Sequence, residues 1–460
     1  MKKLIKVLFC LCFIKNTSSQ ETIFKSQLIS VKHDLVKKNS IIYEPIFYTG
    51  ISLNKNFDKS DLYLVGIQLQ SNINHNLLIG AQFDHLAGDY NNEIIKYRDS
   101  LGFVPGFGRK NKRIQFYSQY SSNKFITSEV GFGRHFIGEG YHSLLLSDFG
   151  ESYPYLKLIT EFGGVQYFNL YTTFINPNMT DVGRKKHSTI HYLNYDLTKN
   201  INIGIFESIL WQSKGEEEYR GFELAYLNPV IFYRPVEFSK QSRKGNALMG
   251  ATFNMKYKKL IFYSQLLLDD LNISRQKDAD ESYTSGFFQN KFGYQLGVKG
   301  KVNSFDYLFE FNQVQPYTYA HKIVLQNYSH MNQALAHPYG ANFREFVSVF
   351  KFNKNNWIYK LTGKYVKIGL DSIDTHYGQN IFMSDFNAST GGEYSYGNYN
   401  GQGVQTKVLS IETEIAYKLD WFTVFGNMYF RLQNSNLFEE NIVLCTVGIR
   451  TFFFSKYKYY

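Results

Sequence analysis

The stretch Ile411–Leu419 reads IETEIAYKL: Ile411, Thr413, Ile415, Tyr417 and Leu419 alternate with Glu412, Glu414, Ala416 and Lys418. After a break at Asp420-Trp421, a second alternating run sets Phe422, Val424, Met428 and Phe430 on one side. Successive side chains on a strand point to opposite faces, so the pair reads as a β-hairpin with one apolar and one polar face. Many such strands in a chain of 460 residues can close into a barrel. The fold then turns on one question: does the apolar face look inward to a core, or outward to lipid?

Composition favours lipid. The chain holds 37 Tyr and 41 Phe but 8 Pro, and its mean hydropathy is −0.31. It is apolar in pattern without being apolar in bulk, as in a transmembrane β-barrel whose lipid-facing and lumen-facing residues alternate between aromatic girdles. A soluble sandwich or propeller would also be rich in Tyr and Phe. However, no repeat of 20–50 residues of the propeller kind is present.

The first residues support export. Lys2 and Lys3 precede an apolar run to Ile14, interrupted by Lys6, and Thr17-Ser18-Ser19 are small residues before Gln20. The pattern predicts a secretory signal peptide over 1–19, cleaved near Ser19. Cys10 and Cys12 would leave with it, so Cys445 is the one mature cysteine and neither a disulfide framework nor a paired-cysteine metal site is expected. Of the formal charge of +11, Lys2, Lys3, Lys6 and Lys15 contribute four, leaving +7 on the mature chain. This excess is spread out, without the basic block that nucleic acid requires, and suits anionic glycans or lipid phosphates. After residue 19 no apolar run is long enough for a membrane-spanning helix.

Along the chain, Phe24, Leu28, Val31 and Leu35 share one helical face, predicting a short periplasmic helix over Phe24–Lys38 within a segment 20–45. From 46 to 460 alternating runs follow, among them Asp61–Leu69, Arg113–Tyr120, Val165–Phe174, Phe292–Lys301, Trp357–Ile368 and Ile442–Phe454. Tight connections such as Thr198-Lys199-Asn200 contrast with long polar ones such as Asp269–Gln289 and Asp371–Gly403. Short turns at one end and long loops at the other are an outer-membrane pattern, and roughly 25 residues per strand with its connection allows about 16–18 strands. The expected fold is all-β: a transmembrane antiparallel barrel with one short N-terminal helix.

Four segments carry candidate chemistry. In GRHFIGEGYHS (Gly133–Ser143) the residues Arg134, His135, His142 and Ser143, with Asp148 beyond, suggest a hydrolytic cluster. Proximity in sequence does not supply the geometry a nucleophile needs, and no G-x-S-x-G, H-E-x-x-H or P-loop is present. The plainer reading is a folded loop whose Arg134 pairs with a carboxylate. Arg234 and Glu237, in the proline-interrupted stretch Tyr226–Phe238, are expected to pair within the lumen and brace a plug-like loop. Ala336–Phe343, containing His337, reads as an ordered loop leading into a strand where Arg344 and Glu345 pair. His321, His330 and His337 fit no standard metal spacing, so no metal is expected. Finally, EYSYGNYNGQ (Glu393–Gln402) offers Tyr394, Tyr396 and Tyr399 as flat apolar faces for sugar rings, with Asn398 and Asn400 as hydrogen-bonding partners. A solvated loop is the alternative.

Taken together, GRHFIGEGYHSLLLSDFGESYPYLKLITEF (Gly133–Phe162), RGFELAYLNPVIFYRPVEFS (Arg220–Ser239) and QALAHPYGANFREF (Gln333–Phe346) resemble the Wzi-type capsule-assembly outer-membrane proteins. The branch they resemble most is the RemB-like, gliding-motility-associated one. The resemblance implies a monomeric barrel of about 18 strands with a small periplasmic helical element. It implies a surface role, in attaching capsular or other exopolysaccharide or in supporting gliding, with no enzymatic activity and no cofactor. This chain departs from the capsule-type pattern in having a single clear N-terminal helix. Implied partners are outer-membrane lipid, an anionic surface polysaccharide and other envelope or motility proteins, but not nucleic acid. A solute-conducting channel and a partner barrel of a secretion or motility complex are the alternative functions.

Overall fold

A computed structural model describes residues 40–74, 76–89, 95, 111–179, 183–214, 221, 224–229, 245–270, 288, 290–372, 375–388 and 396–451. The expected signal peptide 1–19 and the helix Phe24–Lys38 lie outside these residues. The first six strands are β1 (Ser40–Asn54), β2 (Lys59–Asn74), β3 (Leu77–Asp89), β4 (Lys112–Ser121), β5 (Ile126–Gly133) and β6 (Tyr153–Phe162). Next come β7 (Val165–Ile175), β8 (Lys185–Asp196), β9 (Ile201–Gln212), β10 (Asn246–Tyr257), β11 (Leu260–Asp270) and β12 (Lys291–Val302). The last six are β13 (Phe305–Val314), β14 (Phe343–Lys354), β15 (Trp357–Leu370), β16 (Val404–Lys418), β17 (Thr423–Ser435) and β18 (Glu439–Arg450). They form one 18-stranded sheet. Each strand runs antiparallel to the next, and β18 returns to β1 from Asn54↔Leu444 to Tyr48↔Arg450, so the sheet closes on itself.

The hairpin of β16 and β17 settles the orientation. Lys418 pairs with Thr423 and Ile411 with Phe430, and the Leu419 N–H donates to the Phe422 carbonyl at 2.8 Å across the turn. Ile415 and Met428 are 52% and 50% exposed, while Ser410, Glu414 and Asn427 on the other face are buried. The same holds across the barrel on β2, where Val65 is 60% exposed and Leu64 fully buried. The apolar face therefore points outward, as a lipid-contacting surface must.

The eight connections that follow even-numbered strands, from β2 to β16, are short and share one end of the barrel. Lys258, Asn303 and Asn355 take left-handed backbone there, with φ between 52° and 53°, as two-residue hairpin turns demand. The long connections lie at the opposite end. β1 begins at Ser40, inside the stretch 20–45 expected to precede the barrel, and it contains Pro45. Among the described residues, Ser40 to Phe47 have strand partners on β2, and pairing with β18 runs from Tyr48; Thr451, just past β18, donates its N–H to the Phe47 carbonyl and its hydroxyl to the Pro45 carbonyl, both at 2.9 Å.

The interior is filled. The β5–β6 connection (134–152) and the β13–β14 connection (315–342) fold into the lumen. Ile137, Leu144, Leu145 and Leu146 join Tyr319, Tyr328 and Leu335 in a core that also takes inward side chains of β6 to β10 and of β14.

Candidate functional site

The β5–β6 connection is held by hydrogen bonds at nearly every step. Ile137 N–H donates to the Leu146 carbonyl at 2.9 Å. The Ser143 hydroxyl donates to the Ile137 carbonyl at 2.6 Å and accepts Leu145 and Leu146 N–H at 3.1 and 3.2 Å. The Gln265 amide on β11 spans the same turn, donating to the Ile137 carbonyl and accepting Leu144 N–H. Tyr319 and Tyr328 donate their hydroxyls to the carbonyls of Leu144 and Leu145, both at 2.8 Å. Lys299 reaches from β12 to the Glu139 carboxylate and carbonyl at 2.6 and 2.8 Å. Gly140 lets the loop approach the wall, since a Cβ there would lie 2.3 Å from Glu310 Oε2. A buried loop survives when its backbone polar groups are paired in this way.

Beneath this turn lies a buried polar cluster. Glu345 on β14 meets His142 Nδ1 at 2.9 Å and His337 Nε2 at 2.8 Å. The two imidazole rings stand edge to face, with centroids 4.3 Å apart. Glu310 on β13 accepts Tyr141 N–H, His142 N–H, the Tyr263 hydroxyl and the Asn312 amide. Asn312 also donates to Glu345 at 3.1 Å, linking the two carboxylates. Burial holds the His142 imidazole down to about 3, outweighing the pull of Glu345 in the other direction. Its ring is neutral at physiological pH.

The structure separates the residues that proximity in sequence grouped. His142 turns to Glu345, whereas the Ser143 hydroxyl is committed to its own turn, so the two do not form a nucleophile–base pair. Arg134 donates to the Asp148 carbonyl at 3.0 Å, correcting the expected carboxylate partner to a backbone oxygen. His135 sits against Tyr155, with ring centroids 4.4 Å apart, and burial lowers its pKa well below 6.5. The expected Arg344–Glu345 pair is overturned: Arg344 is exposed and Glu345 buried, because neighbours on a strand face opposite ways. His321, His330 and His337 scatter; only His337 reaches the cluster. Arg234, Glu237 and Tyr394 lie outside the described residues.

In the β15–β16 connection, Asn400 donates to the carbonyls of Val314 and Phe343 at 2.6 and 3.1 Å, tying the loop to the strand ends. Asn398 accepts from the Gln402 amide at 2.8 Å, and Tyr396 packs against Phe288 and Tyr317. Tyr399 alone of these described aromatics stays open, at 57% exposure. Glu310, Asn312 and Tyr263 were not singled out by the sequence; the signal was Glu310, a carboxylate at an inward, mid-strand position of the aromatic strand FDYLFEFNQV.

These features define a class: a closed β-barrel of the outer-membrane type whose lumen is filled by its own loops. Among solved structures the chain is similar to Wzi of Escherichia coli, an outer-membrane protein involved in group 1 capsule assembly and described as a carbohydrate-binding β-barrel. The match has a TM-score of 0.56 and 11% identity, covering 90% of this chain and 85% of that one. It is also similar to OccK1 (OpdK) of Pseudomonas aeruginosa, with a TM-score of 0.50 and 8% identity over 90% of this chain and 98% of that one. No protein-family model and no curated protein matches the chain. At these identities the likeness is one of fold. The barrel fold is Wzi-like, and nothing in the likeness singles out the RemB-like branch.

Proposed function

We propose that the protein is a non-enzymatic, monomeric outer-membrane barrel that holds an anionic capsular or exopolysaccharide at the cell surface. The observation that carries this reading is the packed lumen, in which Leu144, Leu145 and Leu146 are fully buried against inward side chains of the wall. A barrel packed in this way works through its loops. The end opposite the tight turns presents Tyr399, and the formal charge of +7 expected on the mature chain suits an anionic polymer. The resemblance of the three motif stretches to the Wzi-type proteins supports the same role, and that resemblance alone supports a part in gliding or a partnership with other envelope proteins. A diffusion channel is the second reading, supported by the fold likeness to OccK1.

The test compares cell-bound with shed polysaccharide in a deletion strain and its parent. Loss of retention is expected, restored by the wild-type gene and less well by one carrying Tyr399→Ala. Removing one exposed aromatic platform should weaken binding of purified polymer about five- to twentyfold, that is about 1–2 kcal/mol. Unchanged retention in the deletion strain would remove the anchoring role and bring the channel reading forward.

A further inference from the structure

Three buried groups converge in the plug, one of them from a distant part of the chain. His142 comes from the β5–β6 connection, His337 from the β13–β14 connection and Glu345 from the wall. Their donor atoms all lie within 4.8 Å of one another. Glu345 Oε2 is shared between the two rings, while Glu345 Oε1 is buried with no hydrogen-bond partner among the described residues. The neighbouring Glu310 is a useful contrast, since its two oxygens receive four N–H and O–H donors. A buried carboxylate is ordinarily satisfied as Glu310 is. Glu345 is not, and what faces it is a pair of imidazoles.

We propose that His142, His337 and Glu345 form a binding site for a divalent transition-metal ion, with zinc the best match to two imidazole nitrogens and a carboxylate. Zinc takes such ligands at about 2.0–2.2 Å in a tetrahedral arrangement. Ligand atoms around it then stand about 3.3 Å apart, so the 2.8 and 2.9 Å contacts must open by about half an ångström. Small side-chain rotations provide that. Glu345 Oε1 is available as the further oxygen contact, and Asn312 donates to Oε2 at 3.1 Å, an outer-shell hydrogen bond to a ligand oxygen. One contact works against the ion. Tyr339 N–H points at His337 Nδ1 at 3.3 Å, which suits a ring protonated at Nε2 and hydrogen-bonded to Glu345. Loading the site moves that proton to Nδ1 and gives up this long contact. Hydrogen bonds alone are therefore the competing state. The bound ion would join both plug loops to the wall at a single point.

This site does not depend on the polysaccharide reading, and its test is separate. The full chain is purified in detergent, its folding is checked by heat-modifiable gel mobility, and zinc is added and unbound metal removed. Elemental analysis should find about one zinc per folded chain. Cobalt(II) in its place should show the visible absorption of a tetrahedral site. Glu345→Gln and His337→Gln should each cut retained metal at least tenfold, a drop of the size expected when a ligand is lost. Metal content of the folded wild type decides the matter even where a variant fails to assemble. A folded wild-type barrel that retains no stoichiometric zinc overturns the proposal, as does retention that survives all such substitutions.

Discussion

His330 shows how much a single ring can fix inside the plug. Its Nδ1 accepts the Ile175 N–H at 2.9 Å and its Nε2 donates to the Ser152 carbonyl at 3.2 Å. Only a neutral ring does both, and burial pushes its pKa down to about 3 from 6.5, with nearby Lys186 pushing the same way. Between those values the unfolded chain binds a proton that the folded one refuses. Stability should therefore be level above about pH 7 and fall as the pH drops through 6.5 toward 3, by up to about 1.4 kcal/mol per pH unit from this ring alone. His330→Ala leaves a buried donor and acceptor unpaired and should cost about 2–4 kcal/mol at neutral pH. Urea unfolding from detergent at pH 4 to 8 measures both effects. If the variant keeps the wild-type pH slope, the ring is not the titrating group. His321, held down to about 4 by burial, adds to that slope. At this scale the sequence was least legible. Arg344 and Glu345 are adjacent in the chain and so looked like a pair, yet the strand's period of two sends one to the outer face and the other to the cluster. His142 and His337, far apart in the chain, meet.

The strands were legible because their signal is local. Alternation located β2 to β18 at least in part, for each run carries its own two faces. The start of β1 was hidden, since Pro45 reads as a stop and the residues before it share a helical spacing. The inward fold of the long connections was hidden too, because a loop has no period that says which way it turns. One clue was present: Leu144-Leu145-Leu146 is a run of three apolar residues next to a segment read as a folded loop. A second device of the wall is the close pairing of glycine with tyrosine. Tyr263 pairs across the ladder with Gly297, and its ring lies where a side chain would be: a Cβ on Gly297 would meet Tyr263 Cζ at 2.1 Å. That placement also lets the Tyr263 hydroxyl reach Glu310 at 2.9 Å. Gly297→Ala should force the ring aside and cost about 1–3 kcal/mol from overpacking, with the bond to Glu310 lost as well. Gly426→Ala on β17, with open space around it, is the matched control. Equal unfolding midpoints for the two variants would show that the tyrosine moves freely.

Considered whole, the molecule has two solvents and two boundaries. Outside, aromatic and aliphatic side chains meet lipid; inside, much of the wall from β6 to β16 meets the molecule's own loops. An 18-stranded wall is wide enough to leave an aqueous channel when nothing fills it, so the plug is what decides between conduction and closure. The ladder that closes the barrel makes no use of residues 136–147, whereas Phe136, Ile137, Tyr141 and Leu144 to Leu146 are buried within the lumen. Replacing 136–147 with a short Gly-Ser linker removes that packing and exposes Glu310 and Glu345 to water, while every strand pairing remains possible. Such a variant should still show the heat-modifiable mobility of a folded barrel and should pass stepwise ion currents in a planar bilayer, where the wild type passes none. Its cells should nonetheless keep their polysaccharide, because Tyr399 and the loop tied down by Asn400 are untouched. Stepwise current through the wild-type protein would instead mean that a continuous path runs beside the plug, and the channel reading would then displace the anchoring one. A closed variant would place the seal in the connections that remain, with Tyr319, Tyr328 and Ile381 closing the lumen without residues 136–147.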